Sequence, residues 1–241
     1  MLQKRKVVVT GLGVLAPNGN TTSEYWEALT AGKSGIGPIE SFDASDLSVR
    51  IAGELKDFDP QSFFDRKELR KLDPFTIYHL VSSEEAIKNS GIDLDKTDGD
   101  RIGVIIGTGI GGIQTLENEH GVFSERGQRR VSPFFVPRFI PNIASGNLAI
   151  KFGLRGPNHT VISACASGTD AIGCAMRTIQ YGDADVMITG GTEASITGLT
   201  ISGFGNIKAL STRNDDPTAA SRPFDAERDG FVLGEGAAAL V

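Results

Sequence analysis

The chain has 241 residues, 39% of them apolar, enough to bury a real core as one large α/β domain or two small ones. Its net charge of −6 argues against a nucleic-acid binder, and no apolar run approaches the length of a membrane span. Two cysteines at no disulfide-framework spacing fit a reducing compartment, and the apolar run after the basic start MLQKRK is far too short for a signal peptide, so a soluble, cytoplasmic protein is expected.

Val7 to Thr10 reads as a buried strand that ends in Gly11-Leu12-Gly13. With Ala16 near the third position, this resembles the start of a dinucleotide fingerprint. That motif needs a helix to begin at once, so that its N-terminus can hold pyrophosphate. Pro17-Asn18-Gly19-Asn20 makes a loop instead, and the fingerprint is rejected. The helix starts later, with Thr21 and Glu24 spaced as a capping box, Trp26 and Leu29 on its inner face and Gly32 at its end. Gly35 to Asp65 is loop-rich. Arg66-Lys67-Glu68-Leu69-Arg70-Lys71 is a basic cluster in an acidic chain, whose ordinary meaning is a solvated helical face. Asp73-Pro74 then supplies N-cap and N1 to a helix with Ile77, Leu80, Val81 and Ile87 near helical spacing and Gly91 at its close.

Ile102-Gly103-Val104-Ile105-Ile106 is apolar enough for a strand buried on both faces. It runs into Gly107-Thr108-Gly109-Ile110-Gly111-Gly112. The glycine spacing matches no phosphate loop and no Gly-Lys-Ser/Thr follows, so flexible backbone beside an active site is the better reading. Arg126, Arg129 and Arg130 form a second basic patch. Ser132 to Pro137 is apolar, aromatic and irregular, as a pocket wall or a subunit contact would be. Asn142 to Phe152 reads as a short helix with Gly153 past its end.

The β-branched run Thr160 to Ser163 reaches a small-residue corner and then a long Ala/Gly-rich helix closed by Gly182. Cys165 sits at that corner. Unpaired N–H groups and the positive end of the helix dipole gather there, which suits a nucleophilic sulfur. From these residues alone, a buried core cysteine stays equally open. Ala164, Ala166, Ser167 and Gly168 give the corner room, and the helix after it, with few charges, reads as buried. Cys174 lies nine residues on, about two and a half turns away, so the sulfurs point apart and no disulfide or shared metal is expected. Asp185 to Thr189 is the next strand. Glu193, in Gly190-Gly191-Thr192-Glu193, is read as a hydrogen-bonded structural carboxylate rather than an acid or base. Gly203 to Leu210 leads into a polar loop from Ser211 to Gly230. Gly234 to Val241 looks like a strand just entered, from which a longer reading frame is expected.

VVVTGLGVLAPNGN, RIGVIIGTGIGG, SPFFVPRFIPNIASG, GLRGPN, SACASGTDAIG, YGDADVMITGGTEA, LSTRNDDPTAASRPFD and ERDGFVLGEGA occur in order along nearly the whole chain. Together they resemble the amino-terminal half of a β-ketoacyl-acyl-carrier-protein synthase, most closely the type II elongating condensing enzyme. Asp170 departs from the polar residue, often His, that many members carry. The resemblance implies an α/β, thiolase-like fold of two similar halves. Residues 1–241 would be the first half, a mixed five-stranded sheet with a buried central helix, and the carboxy-terminal half would be absent. It implies that Cys165 accepts a fatty-acyl group from acyl carrier protein as a thioester. Malonyl-carrier protein then loses carbon dioxide, and its enolate attacks that thioester. The N–H of Cys165 would be one oxyanion donor. Neither a cofactor nor a metal is expected.

The family's His-Gly-Thr and Lys-Ser-x-x-Gly-His motifs and its late Gly-Phe-Gly loop do not occur here. His159 lies roughly 20 Å from Cys165 along an extended chain, His79 reads as packing, and His120 has no placement. Condensation by this chain alone is therefore not expected. By the same resemblance, Lys67, Arg70 and Lys71, with Arg129, Arg130 and Lys208, match residues that dock the acidic carrier, an interaction that salt should weaken. Ile110, Phe135 and Phe204 match positions lining the acyl pocket, Phe135 from a neighbouring subunit of a homodimer. A polyketide ketosynthase, a coenzyme A thioester enzyme of the thiolase or hydroxymethylglutaryl synthase kind, and a non-catalytic chain-length partner are the rival readings. The basic clusters and GFVLGEGA oppose the coenzyme A reading, and the presence of Cys165 opposes the last.

Overall fold

The computed structural model describes residues 5–241; the first part of the basic start, residues 1–4, lies outside them. In chain order the elements are β1 (Leu12–Leu15), α1 (Thr22–Thr30), β2 (Gly37–Pro38), β3 (Ile51–Ala52), α2 (Arg66–Leu69), α3 (Pro74–Ser90), β4 (Ile102–Gly107), α4 (Ile113–Arg126), α5 (Phe135–Phe139), α6 (Ile143–Phe152), β5 (Asn158–Val161), α7 (Ser167–Tyr181), β6 (Val186–Glu193), α8 (Gly198–Asn206) and β7 (Gly236–Leu240). Five strands form one mixed sheet in the order β1-β7-β6-β4-β5. β4 runs parallel to β5 and β6, while β7 runs antiparallel to β6 and β1.

The alternation of a strand decides the layers. Ile102, Val104 and Ile106 of β4 join Ile188 of β6 in a core with Phe75 and Leu80 of α3 and Leu148 of α6. Ile105 and Met187 point the other way, onto Ala171 and Ala175 of α7. The sheet thus lies between α3 with α6 on one face and α7 on the other. A separate cluster of Val49, Ile51, Ile201, Leu210 and Ala220 ties β3 to α8 and the loop after it. Among the described residues, no helix is long and apolar enough to cross a membrane.

The helix buried on all sides is α3, not the Ala-rich helix α7 that follows Cys165. Asp73 caps α3 by accepting from the Phe75 N–H, Pro74 occupies N1, and Gly91 closes it at φ 70°. Burial of positions all round its first three turns marks an internal helix. It crosses β1 so closely that a Cβ on Gly13 would lie 1.9 Å from the Ser82 carbonyl oxygen. Close packing, not phosphate binding, is what Gly11-Leu12-Gly13 serves.

Several local expectations are corrected. Val7 to Thr10 is not a strand: Val8 and Val9 are exposed, and the first strand is Leu12–Leu15. The apolar run alone does not set the strand; pairing does, and the ladder with β7 begins at Leu12 opposite Leu240. Trp26 and Leu29 are exposed, and α1 buries only Ala28. The capping box there is half formed: Thr21 accepts from the Glu24 N–H, but the Glu24 carboxylate takes the Asn20 N–H. α7 is buried only along Ser167, Ala171 and Ala175, a stripe of small residues against the sheet, while Ile172, Met176 and Tyr181 are exposed. β6 does not stop at Thr189 but runs to Glu193. Gly190, at φ 149°, permits this, since a Cβ there would meet the Ala238 carbonyl oxygen at 2.0 Å. Phe135 to Phe139, in and after the stretch read as irregular, forms a short helix.

Candidate active site

The C-terminal ends of β4, β5 and β6 lie side by side. β5 leaves the sheet at Val161, the chain turns through Ser163 to Ala166, and α7 begins at Ser167. Ala164 sits at φ 52°, a left-handed conformation that a side chain rarely adopts. Ser167 fastens this elbow: its Oγ donates to the Ala164 carbonyl at 2.6 Å and accepts from the Ser163 N–H at 2.9 Å. Two glycines let α7 start hard against the sheet. A Cβ on Gly107, the last residue of β4, would fall 2.1 Å from the Ser167 carbonyl carbon, and one on Gly191 of β6 would fall 3.1 Å from the Gly168 Cα.

This elbow holds Cys165 exposed, with a free thiol. The Ala166 and Ser167 N–H groups bond to the Ser163 and Ala164 carbonyls. The Cys165 N–H donates to no backbone acceptor among the described residues, and no side chain caps α7. An exposed thiol and an N–H with no backbone partner among the described residues therefore share one residue, an arrangement suited to covalent acyl transfer with oxyanion stabilisation. Cys174 is partly buried against the core under α7 and is also free.

Cys165 opens into a largely apolar cleft of about 670 Å³. Ile110, Phe204 and Phe231 line it, with the faces of β1 and β7 as its floor. Phe204 and Phe231 meet edge to face, ring centroids 5.4 Å apart. Such a space is large and apolar enough for a hydrocarbon chain. The wall bearing Ile110 is held by Glu193 at the end of β6. Its Oε2 accepts from the Gly109 N–H at 2.6 Å and the Ile110 N–H at 3.2 Å, and its Oε1 accepts from the Thr108 hydroxyl at 3.2 Å. Burial pushes this carboxyl above its ordinary pKa, against the pull of those bonds. Glu193 is thus the structural carboxylate the sequence suggested.

Ile110 and Phe204 come together with Cys165; Phe135 does not, and stacks on Phe139 in α5 at 5.8 Å. Lys67, Arg70, Lys71, Arg129, Arg130 and Lys208 are all exposed, and none forms an ion pair among the described residues. The Lys71 ammonium lies over the Phe134 ring, 5.8 Å from its centre, so the first basic cluster touches the aromatic segment. None of the three histidines lines the cleft. His79 is fully buried in α3, His120 is exposed on α4, and His159 is exposed on β5. Phe231 went unseen in the sequence because it sits in a polar, aperiodic stretch after Asp229-Gly230. The elbow role of Ser167 was equally hidden, although its spacing of four from Ser163 is the available signal.

The family model described as "Beta-ketoacyl synthase, N-terminal domain" matches residues 4–241. Proteins named 3-oxoacyl-[acyl-carrier-protein] synthase 2 are 50% identical over 240 residues in Synechocystis sp. and 50% identical over 241 residues in Staphylococcus aureus strain COL. Both matches cover 100% of this chain and 58% of the relative, so the chain spans little more than half the length of these relatives. A β-ketoacyl synthase from Burkholderia phymatum superposes with a TM-score of 0.87 at 34% identity, over 99% of this chain and 58% of that one. A ketosynthase of a type II polyketide system, solved in complex with its acyl-carrier protein and bound to the hexaketide, gives 0.78 at 28%, over 99% and 62%.

Proposed function

The chain belongs to the β-ketoacyl synthase family, and we propose that it is the amino-terminal half of a condensing enzyme of fatty-acid elongation that works on carrier-protein thioesters. The observation that carries this reading is the exposed Cys165 at the start of α7, opening into an apolar cleft beside Ile110, Phe204 and Phe231. In the first step the Cys165 sulfur attacks the acyl carbonyl carbon. The carrier's thiol leaves with a proton, and the acyl group stays on sulfur. The Cys165 N–H steadies the oxyanion formed on the way. In the second step malonyl-carrier protein loses carbon dioxide, and its enolate carbon displaces the Cys165 sulfur to give a 3-oxoacyl chain two carbons longer. None of the three histidines lines the cleft, so on this reading they do not promote decarboxylation, and residues 1–241 acylate Cys165 without condensing. A homodimer in the cytoplasm is the assembly and place this reading takes from the family. The 50% identity to elongating synthases, against 28% to the polyketide ketosynthase, favours the fatty-acid branch.

The test is direct. Incubated with hexadecanoyl-carrier protein, the chain should gain one acyl mass on the Cys165 peptide. Cys165→Ala should gain none, and Cys174→Ala should gain it as before. An adduct on Cys174, or none at all, overturns the reading. Malonyl-dependent elongation should be absent; turnover by this chain alone would refute acylation without condensation.

A further inference from the structure

We infer that Glu193 is a positioning residue that sets how long an acyl chain the cleft admits; this rests on the acyl-transfer reading of Cys165. Ile110 projects into the cleft from a loop with two glycine neighbours, which by itself has little to fix it. The loop is pinned at two ends. At the far end, the Gly112 N–H donates to the Phe139 carbonyl at 3.1 Å. At the near end the Thr108 N–H donates to the Val161 carbonyl at 3.3 Å, and three further donors converge on one carboxylate: Gly109 and Ile110 N–H on Oε2, the Thr108 hydroxyl on Oε1. Thr108 Oγ1 in turn accepts from the Gly111 N–H at 3.2 Å, so four successive residues hang on Glu193 directly or through one hydroxyl.

The contact is also tight. A Cβ on Gly109 would lie 2.8 Å from Glu193 Oε2 and 3.8 Å from the carbonyl oxygen of Ala164, the residue before the nucleophile. The loop therefore passes between the carboxylate and the elbow, and the backbone that carries Ile110 is held there. Bonds from backbone N–H to an ionised carboxylate are the strong class. While they hold, Ile110 walls the cleft beside Cys165. Once they are lost, the loop can draw back and lengthen the space open to an acyl tail. Glu193 touches neither the reacting carbonyl nor the sulfur; it acts through Ile110.

The experiment compares rates of Cys165 acylation by hexanoyl- and hexadecanoyl-carrier protein. In Glu193→Ala and in the shorter Glu193→Asp, the hexadecanoyl-to-hexanoyl ratio should rise about tenfold, as expected for losing bonds to a charged acceptor. Glu193→Gln keeps an oxygen at the right reach and should stay within about threefold of the unaltered chain. Hydrogen exchange at the Gly109 and Ile110 amides should quicken in the first two variants and not in the third. A general loss of packing would lower both acylation rates together and leave the ratio alone, and that result overturns the proposal. So does a Glu193→Gln variant that behaves like Glu193→Ala. If the unaltered chain takes an acyl group from neither donor, the acyl-transfer reading falls and this one with it, whereas an unchanged ratio on an active chain defeats this one alone.

Discussion

Gly107 carries a hydrogen where any other residue would place a carbon 2.1 Å from the Ser167 carbonyl carbon. The obstacle is the backbone of α7's first turn, which cannot swing aside as a side chain can. Gly107→Ala should therefore cost about 1–3 kcal/mol in urea unfolding and should slow Cys165 acylation by more than that loss explains, because the elbow itself is displaced. Acylation at the unaltered rate in a folded Gly107→Ala variant would show that the fit is looser than the geometry implies. His79 offers a test of a different kind. It is fully buried, its Nδ1 lies 3.3 Å from the Ser83 hydroxyl, and its Nε2 has no partner among the described residues. Burial holds its pKa down to about 3, against an ordinary 6.5. The folded chain thus keeps the ring neutral while the unfolded chain takes up a proton as pH falls. Stability from this residue is complete above pH 6.5 and drains away down to about pH 3, at no more than about 1.4 kcal/mol per pH unit. Asp73, Glu193 and Glu235 work in the opposite sense, since burial raises their pKa values and protonation relieves them. The difference between the unaltered chain and His79→Gln isolates the ring: the variant should lose stability less steeply on acidification, and parallel curves would contradict the assignment.

At the scale of elements, α3 shows what a sequence states locally and what it leaves to tertiary partners. Asp73-Pro74 and Gly91 are legible because capping needs only neighbours in sequence. The second duty of Asp73 is not: its Oδ2 accepts from the Thr115 N–H at 3.0 Å and the Thr115 hydroxyl at 2.6 Å, joining the start of α3 to the first turn of α4 across 42 residues. Asp73→Ala should lose the cap and strand two buried donors, at about 2–4 kcal/mol. Asp73→Asn, which still caps Phe75, should cost about half as much. Equal losses in the two variants, by denaturant midpoint at constant m, would mean that the Thr115 bonds dominate. The misplacement of the first strand has the same origin. Val7 to Thr10 and Leu12 to Leu15 are both apolar, and only β7, some 220 residues later in sequence, selects between them. The elbow at Cys165 was readable because strand, small residues and helix follow one another directly. Ile110 and Phe204 came from family resemblance, not from any local pattern, and Phe231 from neither.

For the whole molecule, the charge balance is the least local property, and it makes the last prediction. The chain carries a net −6, so a uniform charge distribution would repel an acidic carrier protein. Yet Lys67, Arg70, Lys71, Arg129, Arg130 and Lys208 are exposed and make no ion pair among the described residues. By contrast, Arg101 and Arg155 are spent on Asp185 and Asp100 within the fold. Free cations on an acidic protein are suited to short-range attraction that ions screen over about 10 Å at 0.1 M salt. Arg70→Glu should weaken carrier binding about three- to tenfold at low salt, mostly through slower association, and the gap to the unaltered chain should close as salt rises. Lys71→Glu should do the same and lose its contact with Phe134 as well. If titration of the acidic carrier onto either variant gives the unaltered affinity at low salt, these cations are a solvated face and not a docking surface.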